Sequence, residues 1–374
     1  MVLDDINRIS ELDTQSMFEM VYRWPEMVEE LMKQSFEIPP QAIVGSSSIS
    51  YSKPISQVLI CGMGGSAISG DYLQTYLEKV APFPTIVQRN YEIPDFVSKD
   101  TVVILISYSG NTEETISCLI AAVKKSAKII GLGSGGTLEK FFISHKLPFF
   151  QIPSGYQPRA SFSLLFFPLL KILDSLRLIS FDQSVLEEVI SLFKELRHEL
   201  NPRMQSSENQ AKQVALKLFK RIPIIWSPFK CVAERMKCQL NENSKILALS
   251  EELPELNHNH IVGWESWTNE NPFILIAFRF KAEHPNVKLR FEITKEIVEK
   301  KVEIIELHAQ GINLLSQLFS ITYIGDYISM YLAILNDQDP STVDSIVYLK
   351  QQMEQRGHTQ TKLTETLTAL SGEK

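Results

Sequence analysis

The chain has 374 residues, 44% of them hydrophobic and 22% charged, a balance that suits a globular protein of two average-sized domains better than one ordinary core. A formal net charge of -7, with no Lys/Arg cluster to offset it, argues against a general nucleic-acid binder. Cys61, Cys118, Cys231 and Cys238 form no C-x-x-C pair and read as buried small apolar residues, and no H-E-x-x-H string gives a case for zinc.

The opening Met1-Val-Leu-Asp-Asp5 is acidic at once and has no apolar signal core, and no apolar run is read as long enough to cross a membrane. The expectation is a cytoplasmic protein without membrane contact. A helical lead-in is predicted over residues 14–36, broken near Pro25. From residue 57 to about 152, short apolar strands alternate with helix-period segments, the strand cores being 58–60, 86–87, 102–106, 129–130 and 149–152. Such alternation predicts a doubly wound parallel sheet.

Long helices are expected over residues 160–201, with Pro158 and Pro202 as punctuation. A second alternation follows: strands at 222–226, 246–249, 273–278 and 302–307, with helices between them and further helices from Leu314 and Ser341. The predicted fold class is α/β, two stacked domains, each a mainly parallel sheet flanked by helices. The tail after Gln355 is rich in Thr, Gln, Lys and Glu and is expected to add little to the core.

Two turns stand out for their chemistry. Ser107-Tyr-Ser-Gly-Asn-Thr112 follows a buried strand and opens a helix through Glu113 and Glu114. A helix start offers unpaired N–H groups and partial positive charge, to which Ser107, Ser109 and Thr112 would add hydroxyl donors, a combination that suits a phosphate without any Lys or Arg. Gly110 lets the backbone turn closely, and Asn111 or Thr112 can cap the helix. Cys61-Gly-Met-Gly-Gly-Ser-Ala67 lies after the strand at 57–60, where Gly64, Gly65 and Ser66 would bring backbone amides to the same oxyanion. In a parallel sheet both turns would fall on the carboxyl edge, where ligands bind at a reversal of strand order. An ordinary Ser/Thr-rich cap is the bland alternative for either.

Gly62, Gly64 and Ala67 also fit a dinucleotide fingerprint. The next strand ends without an acid to hold an NAD ribose, so this reading survives only in an NADP form, with Arg89 for the extra phosphate. In the second half, Glu242 closes a predicted helix between Asn241 and Asn243 and could be a general base, although an exposed helix Glu is the commoner fact. His258 lies in the polar loop Leu253-Pro-Glu-Leu-Asn-His258 ahead of the apolar stretch 261–264, either as a cleft wall or as an exposed loop residue. Arg159 follows Pro158 just before an apolar helix, where a helix-start salt bridge is the alternative, and Lys350 sits on an amphipathic helix where surface lysines are frequent.

Taken in order, Cys61-Gly-Met-Gly-Gly-Ser-Ala67, Ser107-Tyr-Ser-Gly-Asn-Thr-Glu113, Pro158-Arg-Ala160, Leu240-Asn-Glu-Asn243, Pro254-Glu-Leu-Asn-His-Asn259, Gly325-Asp-Tyr-Ile-Ser329, Asp339-Pro340 and Lys350 resemble the bifunctional phosphoglucose/phosphomannose isomerase family, proteins built from two sugar isomerase (SIS) domains. The resemblance runs from Gln57 to Lys350. It implies a helical lead-in over residues 1–50, SIS domains at 51–200 and 201–353, and a tail at 354–374. It further implies that Gly65, Ser66, Ser107, Ser109 and Thr112 hold the phosphate of a hexose 6-phosphate, and that Glu242 moves a proton between C1 and C2 through an enediolate. Arg159 would stabilise the enediolate charge, and His258 and Lys350 would open the cyclic sugar, with no cofactor and no metal. His258 would come from the neighbouring subunit of a homodimer with shared active sites. Gly325-Asp326-Tyr327 reads as helix packing, with Asp326 satisfying a buried partner. Ser69, where glycine is common, and His260, where an acid is usual, depart from the pattern. The competing hypotheses are an NADP-dependent oxidoreductase and a sugar-phosphate sensor that has lost its chemistry; the joint presence of Glu242, Arg159, His258 and Lys350 speaks against the sensor.

Overall fold

The computed structural model describes residues 2–52, 54–268 and 271–371; residues 372–374 of the tail lie outside the described residues. The chain forms two compact units, one of residues 26–181 with 343–374, the other of residues 1–25 with 182–342. Three short helices open it, α1 (Ile6–Leu12), α2 (Met17–Tyr22) and α3 (Trp24–Lys33). The helical lead-in therefore begins earlier than residue 14, and Pro25 stands in the first turn of α3, where its missing N–H costs nothing. A hairpin of β1 (Gln41–Val44) and β2 (Ser47–Ser50), not read from the sequence, follows.

In the first of these units β3 (Gln57–Cys61), α4 (Gly64–Val80), β4 (Thr85–Gln88), β5 (Thr101–Ser107), α5 (Glu113–Lys124), β6 (Lys128–Gly133), α6 (Gly136–Ser144) and β7 (Phe149–Gln151) alternate, and α7 (Phe162–Ser175) closes the run. The five strands pair in parallel in the order β4-β3-β5-β6-β7. Every residue of β5 and β6 is buried, as expected for parallel strands covered on both faces, which is why these segments read as continuous apolar runs. The strand order reverses between β3 and β5, so the loops after these two strands share the ligand-binding edge of the sheet. Tyr72 of α4 packs edge-on against Phe162 of α7, ring centroids 4.8 Å apart.

The other unit continues with α8 (Gln183–Leu200), α9 (Gln210–Leu218), β8 (Ile222–Ser227), α10 (Lys230–Ser244), β9 (Leu249–Glu252), β10 (Phe273–Arg279), α11 (Pro285–Val298), β11 (Ile304–His308) and α12 (Leu314–Leu335). The expected helical stretch 160–201 is broken between α7 and α8. The four strands are parallel in the order β11-β10-β8-β9, again reversing between the first strand and the third. Two strands are displaced from expectation: the apolar run 246–249 is mostly connection, with Leu247 82% exposed, and β11 starts at Ile304 instead of Val302. Trp24 packs against Phe193 of α8 and Tyr323 of α12, with centroid distances of 5.6 and 5.5 Å.

The expectation that no run is long enough for a membrane needs correction. Helix α12 meets that test by length and composition, but 94% of its most apolar window is buried within the protein, so it is the central helix of its unit's core. In the tail, α13 (Asp344–Gly357) buries no residue, and α14 (Thr359–Ser371) packs against α5 and buries Leu367, a small addition to the core that takes helical form. Thr359 Oγ1 donates to Glu113 Oε1 at 2.6 Å.

Candidate active site

The first loop grows directly out of β3. Cys61 ends the strand fully buried, Met63 is the extended N-cap residue, and Gly64 opens α4 at a φ of 51°. A Cβ on Gly65 would lie 3.3 Å from the Pro158 carbonyl oxygen and 3.6 Å from the Arg159 Cα. The missing side chain thus lets the first turn of α4 seat against the turn that carries Arg159. Ser66 is buried in the same turn, and Ser69 Oγ donates to its carbonyl at 2.6 Å. The Ser69 departure therefore sits inside the helix as an ordinary backbone bond.

The second loop is held by its own backbone and by the loop after β6. Ser107, 1% exposed, pairs its hydroxyl with that of Thr112 at 2.8 Å. Gly110 turns at a φ of 68°, and a Cβ there would lie 1.7 Å from the Gly135 carbonyl oxygen, so only glycine allows this approach. Leu138 N donates to Gly110 O at 2.9 Å, and Ser134 Oγ to Tyr108 O at 2.6 Å. Asn111 Oδ1 accepts from Thr137 N at 2.9 Å and Thr137 Oγ1 at 3.0 Å. Asn111 thus caps the first turn of α6, and Thr112, at the N-cap of α5, makes no side-chain cap bond because its hydroxyl faces Ser107. Ser109 is exposed and accepts weakly from Asn111 N at 3.3 Å. Two helix starts and the hydroxyls of Ser107 and Thr112 thereby line one edge of the sheet, an arrangement suited to an anion.

Arg159 is 4% exposed in a turn tied by Ala160 N and Ser161 N to Gln157 O at 3.0 and 3.1 Å. The phenol of Tyr108 accepts from Tyr156 N at 2.8 Å and donates to Pro153 O at 3.2 Å, and burial pushes its pKa upward. Sequence reasoning passed over this tyrosine, although it lies between Ser107 and Ser109. Arg89, the NADP candidate, is engaged by Asp71 of α4 in an ion pair.

In the other unit the same edge has a different lining. Ser227 Oγ donates to Phe229 O at 2.9 Å, and the rings of Phe229 and Phe280 meet edge-on at 4.9 Å across the β8/β10 reversal. Arg279 is taken up by Glu283 at 3.2 Å, Glu292 at 2.9 Å and Glu306 at 3.0 Å, and stacks over Phe291. No glycine loop is present there.

Glu242 stands half-buried in the last turn of α10, and the residues around it are pinned. Asn243 Nδ2 donates to Ser329 Oγ at 2.9 Å, Ser244 Oγ to Ser329 O at 2.6 Å, and Asn336 Nδ2 to Ser244 O at 3.0 Å. Lys245 Nζ binds the carbonyls of Glu242, Asp339 and Thr342 at 2.6, 3.0 and 2.8 Å. One turn further back, Arg235 pairs with Asp326 at 2.5 Å, both nearly fully buried; burial pushes the Asp326 carboxyl upward against the pull of Arg235. Gly325 lets α12 approach Met236 of α10, its absent Cβ lying 2.9 Å from the sulfur. Gly325 and Asp326 are thus packing and pairing residues, as the sequence suggests.

His258 is exposed at the end of a short 3-10 helix, Glu255–His258, where Asn257 Nδ2 donates to Thr294 Oγ1 of α11 at 2.7 Å. His260 is set between Trp226 and Trp264, each ring 6.0 Å away, with Nδ1 3.5 Å from Glu251; burial lowers its pKa and Glu251 opposes the shift. Lys350 is exposed on α13. The structure therefore gathers Gly65, Ser66, Ser107, Thr112 and the Arg159 turn on one unit. Glu242 and His258 stand on separate elements of the other, and Lys350 lies on α13, which belongs to the unit of the phosphate loops. Cys61, Cys118 and Cys231 are buried thiols and Cys238 is half-buried. No group of metal-ligating side chains occurs among the described residues.

Residues 53–137 match the SIS domain, and residues 207–353 match the bacterial phospho-glucose isomerase C-terminal SIS domain. The bifunctional phosphoglucose/phosphomannose isomerase of Caldicellulosiruptor bescii is 37% identical over 342 residues, covering 90% of this chain and 98% of the relative. That of Aquifex aeolicus is 34% identical, over 80% of this chain and 91% of its own. Among solved structures, a glucose-6-phosphate isomerase like protein from Thermus thermophilus shares the fold with a TM-score of 0.59 at 19% identity, over 93% of this chain and 98% of that one. With the glycine and hydroxyl loops at one sheet edge, and with similarity running through both halves, the chain belongs to the bifunctional phosphoglucose/phosphomannose isomerase family.

Proposed function

We propose that the protein is an aldose-ketose isomerase interconverting glucose 6-phosphate or mannose 6-phosphate with fructose 6-phosphate. The observation that carries the reading is the paired cradle of the β3 and β5 loops, two helix starts with the hydroxyls of Ser66, Ser107 and Thr112, in a chain of this family. Gly65, Ser66, Ser107, Ser109 and Thr112 hold the phosphate and leave C1 and C2 free. The Glu242 carboxylate takes the proton from C2 of the aldose, the C1 carbonyl becomes an enediolate oxygen, the C2 hydroxyl proton passes to O1, and return of the carbon-bound proton to C1 leaves the carbonyl at C2. The step is redox-neutral overall. The Arg159 guanidinium stabilises the enediolate charge, a role suited to a fixed planar donor. His258 and Lys350 shuttle protons between ring oxygen and anomeric hydroxyl to open the sugar.

The further parts of the proposal rest on family expectation: a cytoplasmic homodimer serving glycolysis and gluconeogenesis, in which His258 of one copy completes the site of the other. The exposure of His258 on its short helix agrees with use by a second chain. Domain limits of 51–200 and 201–353, with a lead-in over 1–50 and a tail over 354–374, belong to the same proposal; the matches over 53–137 and 207–353 support the two SIS domains, while the compact units divide the chain differently, at residues 25/26, 181/182 and 342/343.

The test is a coupled assay of purified, metal-free and nucleotide-free protein with fructose 6-phosphate, following glucose 6-phosphate and mannose 6-phosphate separately. Formation of both supports a bifunctional isomerase and of one alone a specialised member; formation of neither overturns the assignment. In the NADP reading Arg89 would have to serve the extra phosphate beside its pair with Asp71, and the isomerase should turn over without any added nucleotide.

A further inference from the structure

We infer that Tyr108 is a positioning residue that couples the phosphate loop to the turn carrying Arg159. The inference rests on the reading of Arg159 given above. Ile152 N makes the last ladder bond of β7, to Gly133 O, and beyond it residues 153–161 run as coil and turn to the start of α7. Residues 153–155 are exposed, and Gly155 adopts a φ of 90°. Within this stretch the Tyr108 phenol holds two backbone groups, accepting from Tyr156 N at 2.8 Å and donating to Pro153 O at 3.2 Å.

The other end of the tyrosine is equally fixed. Its carbonyl accepts from Ser134 N at 3.0 Å and Ser134 Oγ at 2.6 Å, and the residue is 8% exposed. Ser107 and Ser109, its neighbours, are phosphate candidates. Arg159 is therefore referenced to the phosphate site twice, once through Gly65 against Pro158 and once through Tyr108 against Tyr156. Phosphate binding fixes the sugar at one end, and the guanidinium must meet the enediolate several bonds away, so the separation of the two loops sets the geometry of the reaction. A hydroxyl is required because one group must both donate and accept, which Phe cannot do.

The experiment is a double-mutant cycle of Tyr108→Phe with Arg159→Lys, read as kcat and KM for fructose 6-phosphate, as inhibition by inorganic phosphate, and as amide hydrogen exchange of residues 153–159. Tyr108→Phe keeps the ring and its packing. The expected result is a kcat about tenfold lower, KM and the phosphate inhibition constant within about threefold, and faster exchange at Tyr156. In the Arg159→Lys background the added loss in kcat should be under about twofold, because both changes act on one interaction. Equal losses in both backgrounds, unchanged kcat, unchanged exchange, or a parallel rise of KM and the phosphate inhibition constant would each overturn the inference. If Arg159→Lys alone leaves kcat intact, the role given to Arg159 fails and the inference falls with it, whereas a strong Arg159→Lys effect with a silent Tyr108→Phe removes only the tether.

Discussion

Replacing Thr112 by Val removes a hydroxyl and keeps the shape, so it tests the cradle without reshaping the loop. In the free protein Thr112 Oγ1 and Ser107 Oγ are 2.8 Å apart, and Ser107 is 1% exposed. Taking away one partner of such a bond costs about 1–3 kcal/mol, and we place this case near 1 kcal/mol because half-exposed Thr112 admits water to the site. With phosphosugar bound, the lost group is a donor to an anion, a contact of about 1.5–3 kcal/mol, so Kd should rise between about tenfold and about 150-fold. Ligand at 100 times the wild-type Kd stabilises the folded state by about 2.7 kcal/mol; the same concentration should stabilise Thr112→Val by about 1.4 kcal/mol or less. The assay is unfolding with and without fructose 6-phosphate beside steady-state kinetics, where KM should carry the loss and kcat should stay within about threefold. Undiminished stabilisation by the phosphosugar, together with an unchanged KM, would refute the assignment of this loop to the phosphate.

Other outcomes follow from the same geometry. Glu242→Gln should leave below about 1% of turnover while phosphosugar Kd stays within about threefold, measured by coupled assay and calorimetry; near-normal turnover would take the base role from Glu242. Asp326→Ala breaks the buried pair with Arg235 and should destabilise by about 3–5 kcal/mol in urea unfolding, and a loss under about 1 kcal/mol would show that the pair is not a keystone of the α10/α12 contact. For Glu188, burial pushes the carboxyl pKa up, but bonds from Ile312 N, Ser316 Oγ and Asn313 Nδ2 outweigh it and leave the pKa below its usual value. The stability this gives is present above the unfolded-state pKa and is lost as pH falls through the depressed folded one. Glu188→Gln should therefore unfold more easily than wild type at pH 7, with the gap closing under acid; a gap constant with pH would contradict the linkage.

The sequence made the central sheets legible because parallel strands covered on both faces are apolar through their middles, as residues 102–106 of β5 and 129–132 of β6 are. It was less informative at sheet edges. Strand β9 is Leu249-Ser-Glu-Glu252, a polar segment that pairs only with β8, and the apolar residues just before it drew the reading three positions early. Helix α14 escaped notice because a Thr-rich, weakly apolar segment shows its docking face only when α5 is there to receive it. Glycine positions carried much of the site, since Gly65 and Gly110 are among the places where backbone meets backbone. What the string could not give was the pinning of the α10 terminus by Ser329 and Lys245, or the span from Tyr108 to Tyr156, because those bonds join residues 85, 94 and 48 positions apart in the chain.

The two sheets share a strand order, yet the edge that is open after β3 and β5 is closed after β8 and β10 by Phe229, Phe280 and the carboxylates around Arg279. A chain with two equivalent edges could titrate two anions. Here the second edge is filled by rings, and its buried Arg279 is already matched by three carboxylates. If the proposed cradle holds the phosphate, this aromatic closure predicts one sugar phosphate bound per polypeptide, a stoichiometry that calorimetry would read directly.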